Sequence, residues 1–115
     1  MAETEFLYLT TTGRRTGLPR EIEIWYAELD GRYYLISELR ERADWVRNSL
    51  VDSRVCFRIG RAGESVAGRA RVVDAAGEQA LASAVTALFD AKYGWSDGLA
   101  IELVPDDPDQ ERCPT

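Results

Sequence analysis

The chain of 115 residues contains no histidine, a single lysine and only two cysteines. The lack of histidine excludes the commonest general base, Ser/His/Asp triads and most zinc sites. No apolar run is long enough to cross a bilayer, and the first residues, MAETEFLYL, carry neither a basic region nor a cleavage site. We therefore expect a cytoplasmic protein without an integral membrane segment, whose chemistry uses Arg, Asp, Glu, Tyr and Ser side chains and a cofactor.

The two cysteines lie in unlike surroundings. Cys56 sits within a strand-like run, whereas Cys113 lies in a tail rich in Pro and Asp. This placement predicts that no disulfide staples the fold.

Charge is unevenly distributed along a chain whose net charge is -6. All but two of the cationic residues lie between Arg14 and Arg71, and acidic residues crowd the C-terminus. We expect one domain over residues 1–104, followed by an acidic, disordered tail over residues 105–115. The overall negative charge also argues against nucleic acid as a partner.

Alternation of apolar and polar residues predicts a strand-rich domain. The strongest local signal is Asp30-Gly31, a two-residue turn typical of a β-hairpin. Helical spacing predicts helices over residues 41–51 and 77–93, with Gly94 ending the second. Strands are predicted over residues 5–10, 21–29, 32–37, 53–60, 64–74 and 99–104.

Six antiparallel strands with two helices predict a mainly β fold of the α+β class. A chain this short cannot easily cover both faces of an open sheet. We therefore expect a small closed or half-closed barrel.

The segment TTTGRRTGLPR, residues 10–20, gathers three arginines between two predicted strands. The guanidinium groups of Arg14, Arg15 and Arg20 suit bidentate contacts to phosphate oxygens, and Gly13 and Gly17 allow a tight turn. This pattern favours an anion site. The alternative is a solvated hairpin loop with surface arginines.

A second arginine cluster lies on two later predicted strands. If these strands pair, like charges would face one another, which costs stability unless carboxylates or an anionic ligand neutralise them. We expect internal salt bridges to Glu64, Glu78 or the acidic tail. The cluster consists of Arg54, Arg58, Arg69 and Arg71.

The order of several motifs resembles a known family. The run LTTTGRRTGLPR, a DG hairpin, a helix carrying DWVRN, and the strands VCFRI and GRARVV are similar to the deazaflavin-dependent nitroreductases and quinone reductases. These are split β-barrel proteins of the FMN-binding superfamily. The resemblance covers roughly residues 6–93.

The resemblance implies an oxidoreductase that takes a hydride from reduced coenzyme F420 and passes it to a small quinone, nitro or enone substrate. The tail of this deazaflavin carries a phosphodiester and several glutamates, and a cationic cradle would hold it. The implied tail site consists of Gly13, Arg14, Arg15, Thr16, Gly17 and Arg20.

Trp45, Asn48 and Ser37 match family positions near the deazaflavin ring. An aromatic side chain can stack on a planar ring and exclude water. The alternatives are that Trp45 anchors the core and that Ser37 forms a turn. Tyr26 and Tyr34, on the hairpin, are candidates for a substrate pocket, or else they pack at the barrel rim. No catalytic side chain is assigned, because hydride transfer depends on geometry and a dry pocket.

One departure from the family pattern concerns the segment after Ser37. The family commonly has Gly-rich, Lys-bearing sequence here, whereas this chain has Glu38 and a shortened loop. A carboxylate at this place is unfavourable beside a phosphate. Two alternatives therefore stay open: FMN as cofactor, or a non-catalytic ligand-binding barrel. The resemblance also implies that the chain can form a homodimer.

Overall fold

The structure, a computed structural model, describes residues 6–106 and Cys113. Two α-helices, α1 (Asp44–Val51) and α2 (Gln79–Tyr93), accompany the strands, and a 3-10 turn at Arg40–Arg42 precedes α1. The strands of the described part are β1 (Leu7–Thr12), β2 (Pro19–Ile24), β3 (Ala27–Leu29), β4 (Arg32–Ser37), β5 (Arg54–Ile59), β6 (Val66–Val72) and β7 (Leu99–Pro105).

The strands form one antiparallel sheet in the order β2-β1-β5-β6-β7-β4-β3, which curls into a half-barrel. The predicted α+β class and split-barrel architecture are confirmed, with seven strands among the described residues where six were expected. Within the same residues, no helix is long and apolar enough to cross a membrane.

The extra strand comes from a break in the predicted strand over residues 21–29. The chain pairs with β1 as far as Ile24 and pairs with β4 from Ala27 onward. Between them, the ring of Trp25 stacks on Tyr93 of α2, with centroids 4.3 Å apart and planes 2° apart. Strict alternation ends at Trp25, Tyr26 and Ala27, three apolar residues in a row, but no Gly or Pro marks a break. The sequence pattern alone therefore does not reveal that the segment serves both edges of the sheet.

The hairpin and the end of the second helix agree with prediction. Asp30 and Gly31 have φ values of 54° and 79°, the positive values that a two-residue hairpin turn requires. Gly94 ends α2 with a φ of 69°.

The helix predicted over residues 41–51 begins later than expected, at Asp44. Arg40 has a φ of 55°, and its carbonyl accepts a hydrogen bond from the Oγ of Ser37 at 2.9 Å. Ala43 is extended. The chain therefore turns back before α1, a feature that helical spacing cannot show.

Two apolar clusters hold the half-barrel together. Inside the curl, Leu7, Leu9 and Phe57 are buried with Val46 of α1. Behind the sheet, Phe89 of α2 packs in a separate cluster. Burying side chains such as these stabilises a fold by about 1.5–3 kcal/mol each, so α1 is firmly seated against the strands that carry the arginine turn.

The expectation that the cysteines stay apart is wrong. Cys56 of β5 forms a disulfide with Cys113, and their Cα atoms are 5.7 Å apart. The two cysteines are 57 residues apart. Their pairing could not be predicted from spacing, because it depends on how the folded chain brings them together. The predicted disorder of the tail falls mainly on residues 107–112 and 114–115, which lie outside the described residues.

The second arginine cluster forms internal salt bridges, as predicted, with Glu78 and Asp106 of the tail among the expected partners. Two of its partners, Asp52 and Glu21, were not predicted, and none of the ion pairs described for the cluster involves Glu64. Arg54 lies directly opposite Arg69 in the β5–β6 register. Neutralising carboxylates lie beside the cluster: Asp52 Oδ2 is 2.9 Å from Arg54 Nη2, and Glu21 Oε2 is 2.6 Å from Arg58 Nη1. The other two pairs join Arg69 to Asp106, at 4.0 Å, and Arg71 to Glu78, at 2.7 Å.

Candidate functional site

The arginine turn, residues 13–20, closes through its own backbone. The N–H of Gly13 donates to the carbonyl of Leu18 at 2.8 Å, and the N–H of Gly17 donates to the carbonyl of Gly13 at 2.7 Å. Gly17 has a φ of 71°, a value that favours glycine. A Cβ on Gly13 would lie 2.8 Å from the Oγ1 of Thr16. The tightness of the turn therefore depends on both glycines.

Asn48 of α1 docks this turn onto the helix. Its Oδ1 accepts hydrogen bonds from the backbone N–H and the Nη1 of Arg14, at 3.2 and 2.9 Å. Its Nδ2 donates to the Oγ1 of Thr11 at 3.1 Å. Asn48 is only 4% exposed, so its side chain is shielded from water, and its bonds with Arg14 are partly buried. The Arg14 guanidinium also contacts Asp44 at 3.2 Å.

A cavity of about 620 Å³ lies between the arginine turn and α1, and we call it the arginine cavity. Arg15 and Arg20 are exposed on its wall, and within the described chain no carboxylate pairs with either. Seven of the nine residues predicted for the cofactor line this cavity: Gly13, Arg14, Arg15, Thr16, Arg20, Trp45 and Asn48. Gly17 belongs to the same turn but is not among the lining residues.

A second cavity of about 760 Å³ also has Trp45 in its wall, and we call it the aromatic cavity. Ile22, Asp44 and Trp45 line both cavities. The two spaces therefore meet at these residues. The remaining walls of the aromatic cavity come from Phe6, Glu23, Ile24, Trp25, Ile36, Ser37, Glu38, Leu39, Ala43 and Trp95.

Ser37 and Glu38 both line the aromatic cavity, in different ways. Ser37 is 2% exposed and its hydroxyl donates to the carbonyl of Arg40. Glu38 is exposed, and no cation among the described residues pairs with it. The carboxylate that departs from the family pattern thus faces the aromatic cavity, and it is not among the residues that line the arginine cavity.

The structure does not bring Tyr26 and Tyr34 to these cavities: neither is among the described residues that line them. The ring of Tyr26 lies 3.9 Å from the Nζ of Lys92. Tyr34 is 2% exposed and its hydroxyl donates to Glu102 at 2.8 Å. Both tyrosines pack in the apolar clusters, Tyr26 in the cluster inside the curl and Tyr34 in the cluster behind the sheet. These positions are closer to the alternative, packing at the barrel rim, than to a substrate pocket.

Sequence reasoning missed a buried carboxylate, Glu102, on β7. The strand order places Glu102 between Tyr34 of β4 and Arg71 of β6 in one row across the sheet. The Nε of Arg71 donates to it at 2.7 Å, and the Nη1 of Arg32 lies 3.4 Å away. Because these partners come from distant parts of the chain, no local pattern signals the row.

The pKa values in this row follow from burial and charge. Burial raises the pKa of Glu102, but hydrogen bonds from Arg71 and Tyr34 outweigh it and lower the pKa overall. Burial, with the hydrogen bond to Glu102, raises the pKa of Tyr34 to about 12. Hydrogen bonds from Arg71 and from the Asp74 backbone lower the pKa of Glu78 to about 2. At pH 7, the Glu102 side chain is therefore ionised and the Tyr34 hydroxyl is uncharged.

The half-barrel and its two adjoining cavities define a split-barrel protein of the α+β class. A family model described as F420H(2)-dependent quinone reductase matches residues 1–103. Because this match covers most of the chain, the chain belongs to the F420H(2)-dependent quinone reductase family, as the motifs predicted. Membership supports an oxidoreductase activity. A comparison with curated proteins finds no match.

Solved structures share the fold at low sequence identity. The heme storage protein HutZ from Vibrio cholerae is 18% identical with a TM-score of 0.72, over 91% of this chain and 84% of that one. A conserved hypothetical protein from Mycobacterium tuberculosis is 21% identical with a TM-score of 0.69, over 91% and 75%. A FAD-binding protein from Mesorhizobium loti is 16% identical with a TM-score of 0.67, over 90% and 82%. Such likeness concerns the fold alone.

Proposed function

We propose that the chain binds coenzyme F420 across both cavities and passes a hydride from its reduced form to a small quinone, nitro or enone substrate. The main support for this proposal is the position of Trp45, which lines both the arginine cavity and the aromatic cavity. A ligand with an anionic tail and a planar ring can therefore extend past one indole. The bound cofactor would supply the hydride, a chemistry that side chains lack.

The residues of the arginine cavity fit a polyanionic tail. Arg15 and Arg20 are exposed and unpaired among the described residues, so their guanidinium groups are available to phosphate or carboxylate oxygens. Arg14 is held by Asn48 and Asp44 and adds positive charge from a fixed position. In the proposed complex, Arg14 is therefore a fixed cation, whereas Arg15 and Arg20 can adjust to the ligand.

Asn48 acts in this proposal as a positioning residue. Its side-chain oxygen and nitrogen are engaged by Arg14 and Thr11, so it holds the turn against α1. Trp45, one turn of helix before it, would face the deazaflavin ring, and Ser37 and Glu38 would lie beside the ring on the opposite wall. Apolar walls exclude water from the path of the hydride.

FMN is a second candidate cofactor. Its single phosphate would also suit the two guanidinium groups of Arg15 and Arg20, and a structural neighbour is described as FAD-binding. The two candidates differ in tail length. A deazaflavin with several glutamates would engage more of the turn, and its binding would depend more strongly on salt.

The variant Arg15→Ala tests the tail site. We expect its affinity for oxidised coenzyme F420 to fall by about tenfold or more, the effect of losing a charged hydrogen-bonding partner. The matched control is Arg61→Ala, which removes an exposed cation that lies outside the lining of both cavities. Unchanged affinity in the Arg15 variant, with the fold retained, would contradict the tail site.

A further inference from the structure

All three tryptophans of the chain, Trp25, Trp45 and Trp95, line the aromatic cavity. The ring planes of Trp25 and Trp95 are inclined by 68°, with centroids 6.2 Å apart, so they form two walls of a corner. Indole faces attract cations through the ring quadrupole, and aromatic cages recognise organic cations in this way. The cavity therefore offers aromatic surface to a cationic ligand.

The charged side chains among the residues that line this cavity are all carboxylates: Glu23, Glu38 and Asp44. Asp44 is paired with Arg14, at 3.2 Å. Glu23 accepts a hydrogen bond from Tyr8 and lies 4.0 Å from Arg61. Glu38 has no cation beside it within the described chain. The cavity thus carries a net negative field, opposite in sign to that of the arginine cavity.

We propose that the aromatic cavity selects planar aromatic cations as electron acceptors, an acceptor class beyond quinones, nitro compounds and enones. The inference rests on the proposed function, because that function supplies the reductant. Carboxylates and indole faces both favour a cation, and the same carboxylates repel an anionic acceptor. The unpaired Glu38 contributes most of this selectivity.

The chemistry of such an acceptor suits the side chains present. Two electrons and one hydrogen nucleus pass as a hydride equivalent from the reduced deazaflavin to a ring atom of the cation, which in a phenazinium is the unsubstituted ring nitrogen. The cation becomes a neutral dihydro compound, and the second proton of the reduced cofactor passes to solvent. No proton from the protein is required. Among the described lining residues there is no Lys, Tyr or Cys, and the Ser37 hydroxyl already donates to Arg40.

Three probes with one ring system test this selectivity by binding alone: N-methylphenazinium, neutral phenazine and phenazine-1-carboxylate. Each oxidised probe is titrated without cofactor, by calorimetry in the dark and by quenching of the tryptophan fluorescence. We expect the cation to bind about tenfold more tightly than phenazine, and the carboxylate to bind most weakly. Equal affinities, or preference for the carboxylate, would overturn the inference.

Two variants locate the effect. Glu38→Gln should weaken binding of the cation by about threefold to tenfold and leave phenazine unchanged, since only the charge is removed. Glu28→Gln, on β3 and outside the cavity lining, is the matched control and should change neither. A Glu38 variant that binds the cation as tightly as the unmodified protein would overturn the assignment of this carboxylate.

A parallel titration with oxidised coenzyme F420 separates this inference from the proposed function. Coenzyme binding without a preference for the cation overturns the acceptor class and leaves the function intact. Cation binding without coenzyme binding overturns the acceptor role, because no hydride donor is present. Binding of both, followed by reduction of N-methylphenazinium that falls in the Glu38→Gln variant, supports the inference.

Discussion

The side-chain oxygen Oδ1 of Asn48 accepts two hydrogen bonds from Arg14, one from the backbone N–H at 3.2 Å and one from Nη1 at 2.9 Å. A residue of α1 thereby sets the position of a turn that lies 34 residues earlier in the chain. The position of the arginine turn therefore depends on this link, together with the ion pair between Arg14 and Asp44 of the same helix.

Replacement of Asn48 by Ala should loosen the turn. It leaves the part-buried donors of Arg14 and the buried acceptor Oγ1 of Thr11 without this partner, and we expect the free energy of unfolding to fall by about 2 kcal/mol. Urea unfolding measures this loss, and coenzyme titration should show weaker binding. Ser49→Ala is the control, since the buried Ser49 hydroxyl contacts only the carbonyl of Val46 in its own helix. Equal effects in both variants would contradict the docking role.

Replacement of Glu102 by Gln should destabilise the sheet and leave both cavities unchanged. The buried carboxylate accepts charged hydrogen bonds from Arg71, and loss of its charge should lower the free energy of unfolding by about 2 kcal/mol. Affinity for coenzyme F420 should stay unchanged. Glu78→Gln removes the more exposed partner of Arg71 and should have a smaller effect. Lost coenzyme affinity in a folded Glu102 variant would instead place this row in the site.

Stability should fall on acidification. The pKa of Glu78 is about 2 in the folded protein, against an ordinary 4.5, and that of Glu102 is also lowered. The unfolded chain therefore binds more protons in this window, so stability is present above about pH 4.5 and is lost as the pH falls towards 2. Urea midpoints measured from pH 7 down to pH 2.5 test this, and the Glu102→Gln variant should show a shallower decline. Urea midpoints that do not change over this pH range would contradict the lowered pKa values of Glu78 and Glu102.

At alkaline pH, Tyr34 determines whether stability rises or falls with pH. Its pKa is raised from 10 to about 12, so the stabilisation is complete below pH 10 and is lost as the pH rises through 12. Absorbance titration of the tyrosinates in the folded protein, compared with Tyr34→Phe, should show one late-titrating group missing in the variant. If the group that is missing in the variant titrates near pH 10 in the unmodified protein, the result would argue against the hydrogen bond from Tyr34 to Glu102.

The disulfide should stabilise the chain measurably. Closing a loop of 57 residues restricts the unfolded chain, and the chain-entropy estimate for such a loop is about 4 kcal/mol. Cys56→Ser, or reduction with dithiothreitol, should therefore lower the unfolding midpoint. Mass spectrometry of a non-reduced digest should show the peptides of Cys56 and Cys113 joined. Two free thiols in protein purified without reductant would contradict the pairing.

The sequence is informative where structure depends on near neighbours. The Asp30-Gly31 hairpin and the stop at Gly94 depend on backbone conformations that these residues prefer, and both are confirmed. The arginine turn lies beside Trp45 and Asn48, as the family motifs implied. Their roles toward a cofactor stay predictions.

Features that depend on distant pairing could not be predicted in the same way. Glu102 meets Tyr34 and Arg71 only because β7 lies between β4 and β6, an order that no local pattern encodes. The disulfide depends on the path that brings Cys113 back to β5. The break at Trp25 could not be predicted because no Gly or Pro interrupts the run, although the segment pairs with two different strands.

Titration of the purified protein with oxidised coenzyme F420, followed by the fluorescence of the ligand, tests the central claim most directly, with FMN titrated in parallel at the same salt concentrations. The account predicts tight binding of the deazaflavin that weakens as salt rises, together with quenching of Trp45, and weaker binding of FMN. Preference for FMN would contradict the choice of cofactor, and binding of neither would contradict the proposed site as a whole.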